Sequence, residues 1–360
     1  MKTTHPFFAT CAAGTEGALA EELRLIGLGG VEPARGGVRF SATIEGGMRA
    51  CLWSRMAARV LLELGSAQAR DAESLYEGAA KIAWEDHIQP DSRFAVRATL
   101  RRSSFNHSGY VALKVKDALV DRMRSRRGRR PDVSTRTPDV SVAVHVDGKS
   151  AGFYLDMAGE PLHRRGWRAG AGKAPLKESL AAAVLRLGGY QPALPLCDPM
   201  CGSGTLAIEA ALAARRVAPG LGRGFGFERW PSFGASERAA FRKLREVVES
   251  ARKNAARAGV SGDVRIDAGD ARSLGDLPAS TQIFTNPPYG ERLGRNRLQL
   301  EGLYRQLGES WLQRGDLERV VVLTANQRLE GCFGRRPEER HELFNGPLRS
   351  RLLVFLLKHT

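Results

Sequence analysis

Asn286-Pro287-Pro288-Tyr289 is the stretch of this sequence best suited to chemistry on a planar amine. Prolines fix φ and lack an N–H, so the loop is rigid and its carbonyls stay free to accept hydrogen bonds. The Asn286 side-chain carbonyl and the Pro287 backbone carbonyl offer an acceptor for each hydrogen of an amino group, and Tyr289 offers a face on which the ring bearing it stacks. A conjugated amine is a poor nucleophile because its lone pair is delocalised into the ring. Holding its hydrogens in this way favours pyramidalisation and stabilises the positive charge developing on nitrogen. No metal and no strong general base is required. A plain Pro-rich turn is the alternative reading.

A second loop, LCDPMCGSGTLAIEAA (196–211), has the makings of a ligand cradle. An apolar strand end delivers Asp198 and Pro199 into a turn carrying Gly202 and Gly204, and a helix starts near Thr205. Glycine admits positive φ and lets backbone approach a ligand closely. A helix start presents N–H groups to a carboxylate or phosphate, and open α/β sheets bind ligands at the carboxyl ends of their strands. The turn is not a dinucleotide fingerprint, since Ala207 stands at the third glycine position, nor a phosphate loop ending in Gly-Lys-Ser/Thr. Alone it also fits a mere tight connection.

The elements that must hold these loops can be read from periodicity. Leu176–Leu187 is a strongly apolar helix; Asp263–Ile266, Gln282–Thr285, Val320–Thr324 and Arg351–Leu357 are candidate strands, with Leu298–Gln313 an amphipathic helix among them. This alternation predicts an α/β sheet covered on both faces. Earlier in the chain, Phe8–Thr10, Glu16–Ile26, Gly36–Phe40 and Met48–Leu64 read strand, helix, strand, helix, a small α+β unit. Phe94–Leu100 then reads as a strand and Tyr110–Arg126 as a helix. Val140–Val146 and Gly152–Leu155 read as strands joined by a hairpin turn at Gly148-Lys149.

Charge points to the partner. Lys plus Arg is 55 against 39 for Asp plus Glu, a formal net charge of +16, which favours a polyanion. An Arg-rich genome is the bland explanation. The densest basic segment gathers Lys114, Lys116, Arg122, Arg124, Arg126, Arg127, Arg129 and Arg130 with only Asp117 and Asp121 between them, a pattern suited to nucleic acid. Ser103, Asn106, His107 and Tyr110 lie nearby, as further contacts or as ordinary loop residues. The longest apolar runs, Val320–Ala325 and Leu352–Leu357, are too short to span a bilayer, so no membrane partner is expected. The N-terminus lacks a secretory pattern. The five cysteines are scattered, and Cys197 and Cys201 lack a second pair at zinc-finger spacing. A cytoplasmic protein with reduced thiols and no metal is the expectation.

Together, DPMCGSGTLAIEAA and NPPYGERLG resemble amino-methyltransferases of Rossmann-like fold. FFATCAAGTEGALAEEL, LKVKDALVDRMR with GRRPDV, and GEPLHRRGWR…APLKESLAAA narrow the resemblance to bacterial THUMP-domain methyltransferases that act on guanine N2 of 23S ribosomal RNA. The resemblance covers nearly the whole chain. It implies a ferredoxin-like unit (1–64), a THUMP RNA-binding domain (65–157) and a Rossmann-like domain using S-adenosylmethionine (158–360); larger relatives carry a second methyltransferase domain. It further implies that Asp198, Pro199, Gly202, Gly204 and Thr205 line the cofactor site, that the backbone around Pro175 and Leu176 closes over the methionine moiety, and that Asp270 accepts from the adenine amino group. Asn286, Pro287 and Tyr289 would hold a guanine. Lys114, Lys116, Arg126, Arg127, Arg129 and Arg130 would meet RNA, either 23S rRNA or its precursor particle, or alternatively tRNA.

The chain departs from the family at one place. FRKLREVVESARKNAARAGV (241–260) runs as one continuous helical pattern where the family has a strand ending in an acid that binds the ribose hydroxyls. That strand reads as deleted between Arg245 and Val248, with Glu246 and Glu249 as candidate substitutes. Each charged hydrogen bond to such a carboxylate is worth about 1.5–3 kcal/mol, so its loss would weaken cofactor binding roughly ten- to a hundred-fold or more. A catalytically impaired RNA-binding relative therefore stands beside the enzyme reading. A DNA adenine methyltransferase shares the Asn-Pro-Pro-Tyr loop, but the first half of the chain disfavours it.

Overall fold

The structure is a computed structural model describing residues 3–167, 176–245, 270–288, 297–346 and 348–357. Pro175, Tyr289, the expected strand Asp263–Ile266 and the 246–260 part of the apparent deletion site lie outside the described residues.

The first unit runs β1 (His5–Thr10), α1 (Glu16–Leu25), β2 (Gly29–Ala34), β3 (Gly37–Ala42), α2 (Ile44–Trp53) and β4 (Arg59–Gln68). Its strands lie in the order β2-β3-β1-β4, all neighbours antiparallel, the ferredoxin-like arrangement. One sequence expectation is corrected: Met48–Leu64 is not a single helix. The helix stops at Trp53 and Arg59–Gln68 is a strand. Val60, Leu61 and Leu62 are buried in succession, and a continuous apolar run is ambiguous between helix and inner strand on periodicity alone.

The second unit adds α3 (Ala72–Lys81), β5 (Arg93–Arg101), α4 (Ser108–Arg127), β6 (Asp132–Val133), β7 (Val140–Asp147) and β8 (Ser150–Asp156). The 148–149 hairpin forms as expected, with Asp147 opposite Ser150 and Gly148 at φ +61°. Both units share one eight-stranded sheet, β2-β3-β1-β4-β8-β7-β5-β6. β4 makes the join: Arg59–Leu62 pair with β1, while Leu61–Gln68 pair with β8, with a register shift at Glu63/Gly65.

The third unit contains α5 (Glu178–Leu187), β9 (Leu196–Cys197), α6 (Thr205–Ala214) and α7 (helical over 235–245). There follow β10 (Thr281–Thr285), α8 (Arg297–Trp311), β11 (Leu317–Thr324), α9 (Gln327–Glu330), β12 (Glu339–Asn345) and β13 (Leu348–Leu356). Among the described residues the sheet order is β12-β13-β11-β10-β9. β9, β10 and β11 are parallel, and β13 enters antiparallel between β11 and β12. One buried cluster lies with α8 (Tyr304, Leu307, Trp311) and another with α5 and α6 (Leu180, Val184, Leu206), so both faces of the sheet are covered.

The first unit packs against the third. A Cβ on Gly14 would lie 1.9 Å from the Glu342 carbonyl oxygen of β12, Arg186 of α5 pairs with Glu21 of α1 at 2.9 Å, and the Gly220 N–H donates to Leu52 O at 3.0 Å. The largest buried cluster accordingly joins residues of the first two units with Ala182, Phe225, Phe227, Trp230 and Phe241 of the third.

Candidate active site

Two loops leave the carboxyl ends of neighbouring parallel strands. Ile283 of β10 lies opposite Cys197 of β9, so Asp198 and Asn286 emerge on the same edge of the sheet. The β10 strand is buried throughout, which fixes where its final residue delivers the Asn-Pro-Pro segment.

Asp198 is half-buried, and its Oδ1 accepts from the Met200 N–H at 3.2 Å, closing the first turn of the loop. Burial pushes its carboxyl up to about 6, against the lowering effect of the Thr285 hydroxyl and the Met200 N–H. Thr285, the last residue of β10, places its hydroxyl near Asp198, yet this buried hydroxyl makes no hydrogen bond among the described residues; the sequence reading missed it although it directly precedes Asn286. Gly202 (φ +53°) and Gly204 (φ +73°) both occupy the left-handed region, where other residues are strained. A Cβ on Gly202 would meet nothing within 4 Å. Conformation, not crowding, is what demands glycine there. Gly204 caps α6 without any side-chain hydrogen bond, leaving the helix start to backbone donors. The Thr205 side chain is buried and its hydroxyl lies 3.2 Å from that of Ser203.

The Asn286 Oδ1 atom is buried and has no hydrogen-bond partner among the described residues. Such an acceptor costs free energy unless a ligand satisfies it. Pro287 is buried beside it. Leu176 belongs to the buried cluster that includes Leu206 and Phe284, so its side chain is part of the packing beneath the loops.

Asp270 is exposed and held by Arg272, with Nη2 at 2.5 Å from Oδ2 and Nε at 2.9 Å from Oδ1. The Arg272 hydrogen bonds, side chain first and backbone N–H second, hold the carboxyl down at about 2. Its segment is pinned to α8: Trp311 Nε1 donates to Ala271 O at 2.8 Å, Ser310 Oγ to Arg272 O at 2.8 Å, and Arg314 Nη1 to Leu274 O at 2.7 Å. Trp311 and Arg314 left no sequence signal beyond a helical pattern.

The basic segment divides into two groups. Lys114, Lys116, Arg124 and Arg130 line a cavity of about 570 Å³ with Tyr76, Asp117, Asp121 and Val133. Lys114 also lies over the Tyr110 ring at 5.9 Å. Arg122, by contrast, grips Glu85 through two 2.7 Å bonds and donates to Ala80 O, fastening α4 to the chain after α3. Arg126 lies 3.9 Å from the same carboxylate, and Arg127 donates to Glu85 O at 3.2 Å. Arg129 is exposed.

Residues 165–353 match the RMKL-like methyltransferase domain, residues 69–156 the THUMP domain and residues 6–61 the RlmL ferredoxin-like domain. A Synechocystis protein provisionally named an RNA methyltransferase, slr0064, is 35% identical over 99% of this chain and 97% of its own length. The chain belongs to the RMKL-like methyltransferase family. The ribosomal RNA large subunit methyltransferase K/L of Syntrophotalea carbinolica is 39% identical over 97% of the chain and 53% of its own length, so the chain spans about half the length of that relative. Its alignment runs over 379 positions against the 360 residues present here, so the relative has residues that this methyltransferase-family chain lacks. SMU.472, a provisional methyltransferase crystallised with SAH, superposes with a TM-score of 0.87 over the whole of both chains at 29% identity.

Proposed function

We propose that the protein transfers a methyl group from S-adenosylmethionine to the exocyclic N2 of a guanine in RNA, with 23S ribosomal RNA or its precursor particle as substrate. The observation that carries this reading is the buried, unpartnered Asn286 Oδ1 at the same sheet edge as the Asp198–Thr205 turn. The donor set fits the cofactor. Positive-φ glycines and an uncapped helix start suit the methionine carboxylate, and the half-buried Asp198 carboxylate suits a cation.

When bound, S-adenosylmethionine supplies an electrophilic methyl on a positively charged sulfur. Asn286 and the Pro287 carbonyl accept the hydrogens of the target amine and orient its lone pair. Tyr289 supplies the stacking face. Guanine N2 lies inside the duplex minor groove, so the base must leave the stack to meet the methyl in line. The names of the Syntrophotalea and Synechocystis relatives support an RNA substrate, as does the cavity lined by Lys114, Lys116 and Arg130 on the THUMP match. The matched segments also support the division 1–64, 65–157 and 158–360, although β4 runs across the first boundary. Ribosomal RNA as substrate would put the protein in the cytoplasm.

The test is methyl transfer to 23S rRNA and to tRNA, followed by identification of the methylated nucleoside. N2-methylguanosine in the ribosomal substrate supports the proposal, and methylation of tRNA alone replaces its substrate. A second reading, an RNA-binding relative with a weakened cofactor site, is favoured by the alignment surplus over this chain. A folded protein that binds RNA but shows no affinity for S-adenosylmethionine would establish it.

A further inference from the structure

An acid in the middle of an apolar helix needs a partner, and Glu209 is the one acid in TLAIEAALAA, the sequence of α6. It stands four residues after Thr205, one turn further along the same face of the helix that carries the glycine turn. The side chain is fully buried. Oε1 takes Arg165 Nε at 3.4 Å, while Oε2 has no hydrogen-bond partner among the described residues.

Arg165 is itself 3% exposed and lies in the segment joining the RNA-binding half to the methyltransferase domain. Its Nη1 donates to Leu162 O at 2.7 Å, and its Nη2 donates to the carbonyl of Arg55. Arg55 then reaches the opposite end of α6, where Nη2 donates to Leu212 O at 3.0 Å and Val217 O at 2.6 Å. Leu212 lies in the last turn of α6, where its carbonyl also takes the Val217 N–H at 3.0 Å, and a cation there complements the helix dipole. Arg55 belongs to the first unit, just past α2. Its backbone N–H is fixed by Glu22 Oε1 at 2.9 Å, and Glu22 Oε2 also takes the Ser54 hydroxyl at 2.6 Å.

We propose that Arg55, Arg165 and Glu209 are positioning residues that hold α6 from its middle and far end, so that the N-terminal half of the chain sets the affinity of the glycine turn for S-adenosylmethionine. The inference rests on reading that turn as the cofactor site. A ten-residue helix is a stiff rod about 15 Å long, so a shift at its far end is carried to Gly204 and Thr205. The cluster is ionic as well as stiff. Breaking one buried charge pair leaves the other charge without compensation and favours rearrangement over a passive gap.

The test is calorimetric titration of the full chain with S-adenosylmethionine, alongside RNA affinity and circular dichroism. Arg55→Met removes both bonds to the end of α6 and keeps the apolar stem; Glu209→Gln removes the charge at constant volume. Each should weaken cofactor binding about tenfold, a typical coupling between sites, with RNA affinity unchanged. Arg55→Lys, which keeps the charge and a donor, should restore part of the loss and decides the matter if Arg55→Met does not fold. Folded variants that bind the cofactor like the parent protein would overturn the inference, as would equal losses of cofactor and RNA affinity. A parent protein that binds neither S-adenosylmethionine nor its demethylated product would instead refute the cofactor reading itself, and the inference with it.

Discussion

Asn286 and Asp198 meet at one sheet edge, and each makes its own prediction. In the proposed role Asn286→Ala removes an acceptor that acts as charge develops on the amine, so methyl transfer should fall by about a hundred-fold or more, while cofactor and RNA affinities barely change. A matching loss of RNA affinity would show that Asn286 serves binding instead. For Asp198, the folded protein holds the carboxyl at about 6 against an ordinary 3.8. A raised carboxyl favours the folded state while protonated, so this group withdraws stability as pH rises from 3.8 to 6 and contributes no further change above that. Cofactor binding runs the other way. With Asp198 facing the proposed cationic cofactor, affinity should rise by up to about tenfold per pH unit below 6 and level off above it. Asp198→Asn should flatten that profile; an unchanged profile would remove Asp198 from contact with the cation.

At the scale of elements, the helix α4 shows which basic residues are available to a partner. Substituting Lys114 and Arg130 with alanine should weaken RNA binding and reduce the salt slope by about 2. Arg122→Ala should instead lower the melting temperature, because it unfastens α4 from Glu85. A salt slope unmoved by the first pair would take the cavity out of the interface. The sequence named these cations correctly as a cluster but could not sort them, since Glu85 lies 37 residues from Arg122 and nothing local joins them. Strands buried on both faces, such as Gln282–Thr285 and Val320–Thr324, were legible because apolar runs bounded by turns leave few alternatives. Arg59–Gln68 was not, because its first half resembles a continuation of α2. The glycine turn and the Asn-Pro-Pro segment were legible for a different reason: glycine and proline report backbone geometry directly. Arg165 and Glu209 matter through partners brought by the fold, and a lone acid in an apolar helix was the only local sign of either.

For the molecule as a whole, the largest buried cluster crosses from the first two units into the third. The protein should therefore melt in a single cooperative transition, with calorimetric and van't Hoff enthalpies equal. Two resolved transitions would mean that the interface between Gly14 and β12 and the packing around Phe225 and Phe227 are weaker than their burial implies. The same packing explains why the α6 helix can be gripped from a unit more than a hundred residues earlier in the chain: Arg55 and Leu212 are separated by 157 positions.

The β4 strand makes the border between the first two units a party wall. Its front half completes one unit and its back half begins the next, and a register shift lies where the two meet. The second unit should consequently not stand alone without β4. Cutting the chain after Gln68, where the THUMP match begins, would strip β8 of the neighbour it pairs with along Ser150–Asp156, baring a seven-residue edge with Ala151, Phe153 and Leu155 behind it. An open edge of that kind recruits another copy of itself. A fragment made to borrow the RNA grip alone would be sticky before it was useful, and any transplant of this module has to carry the wall along with the room.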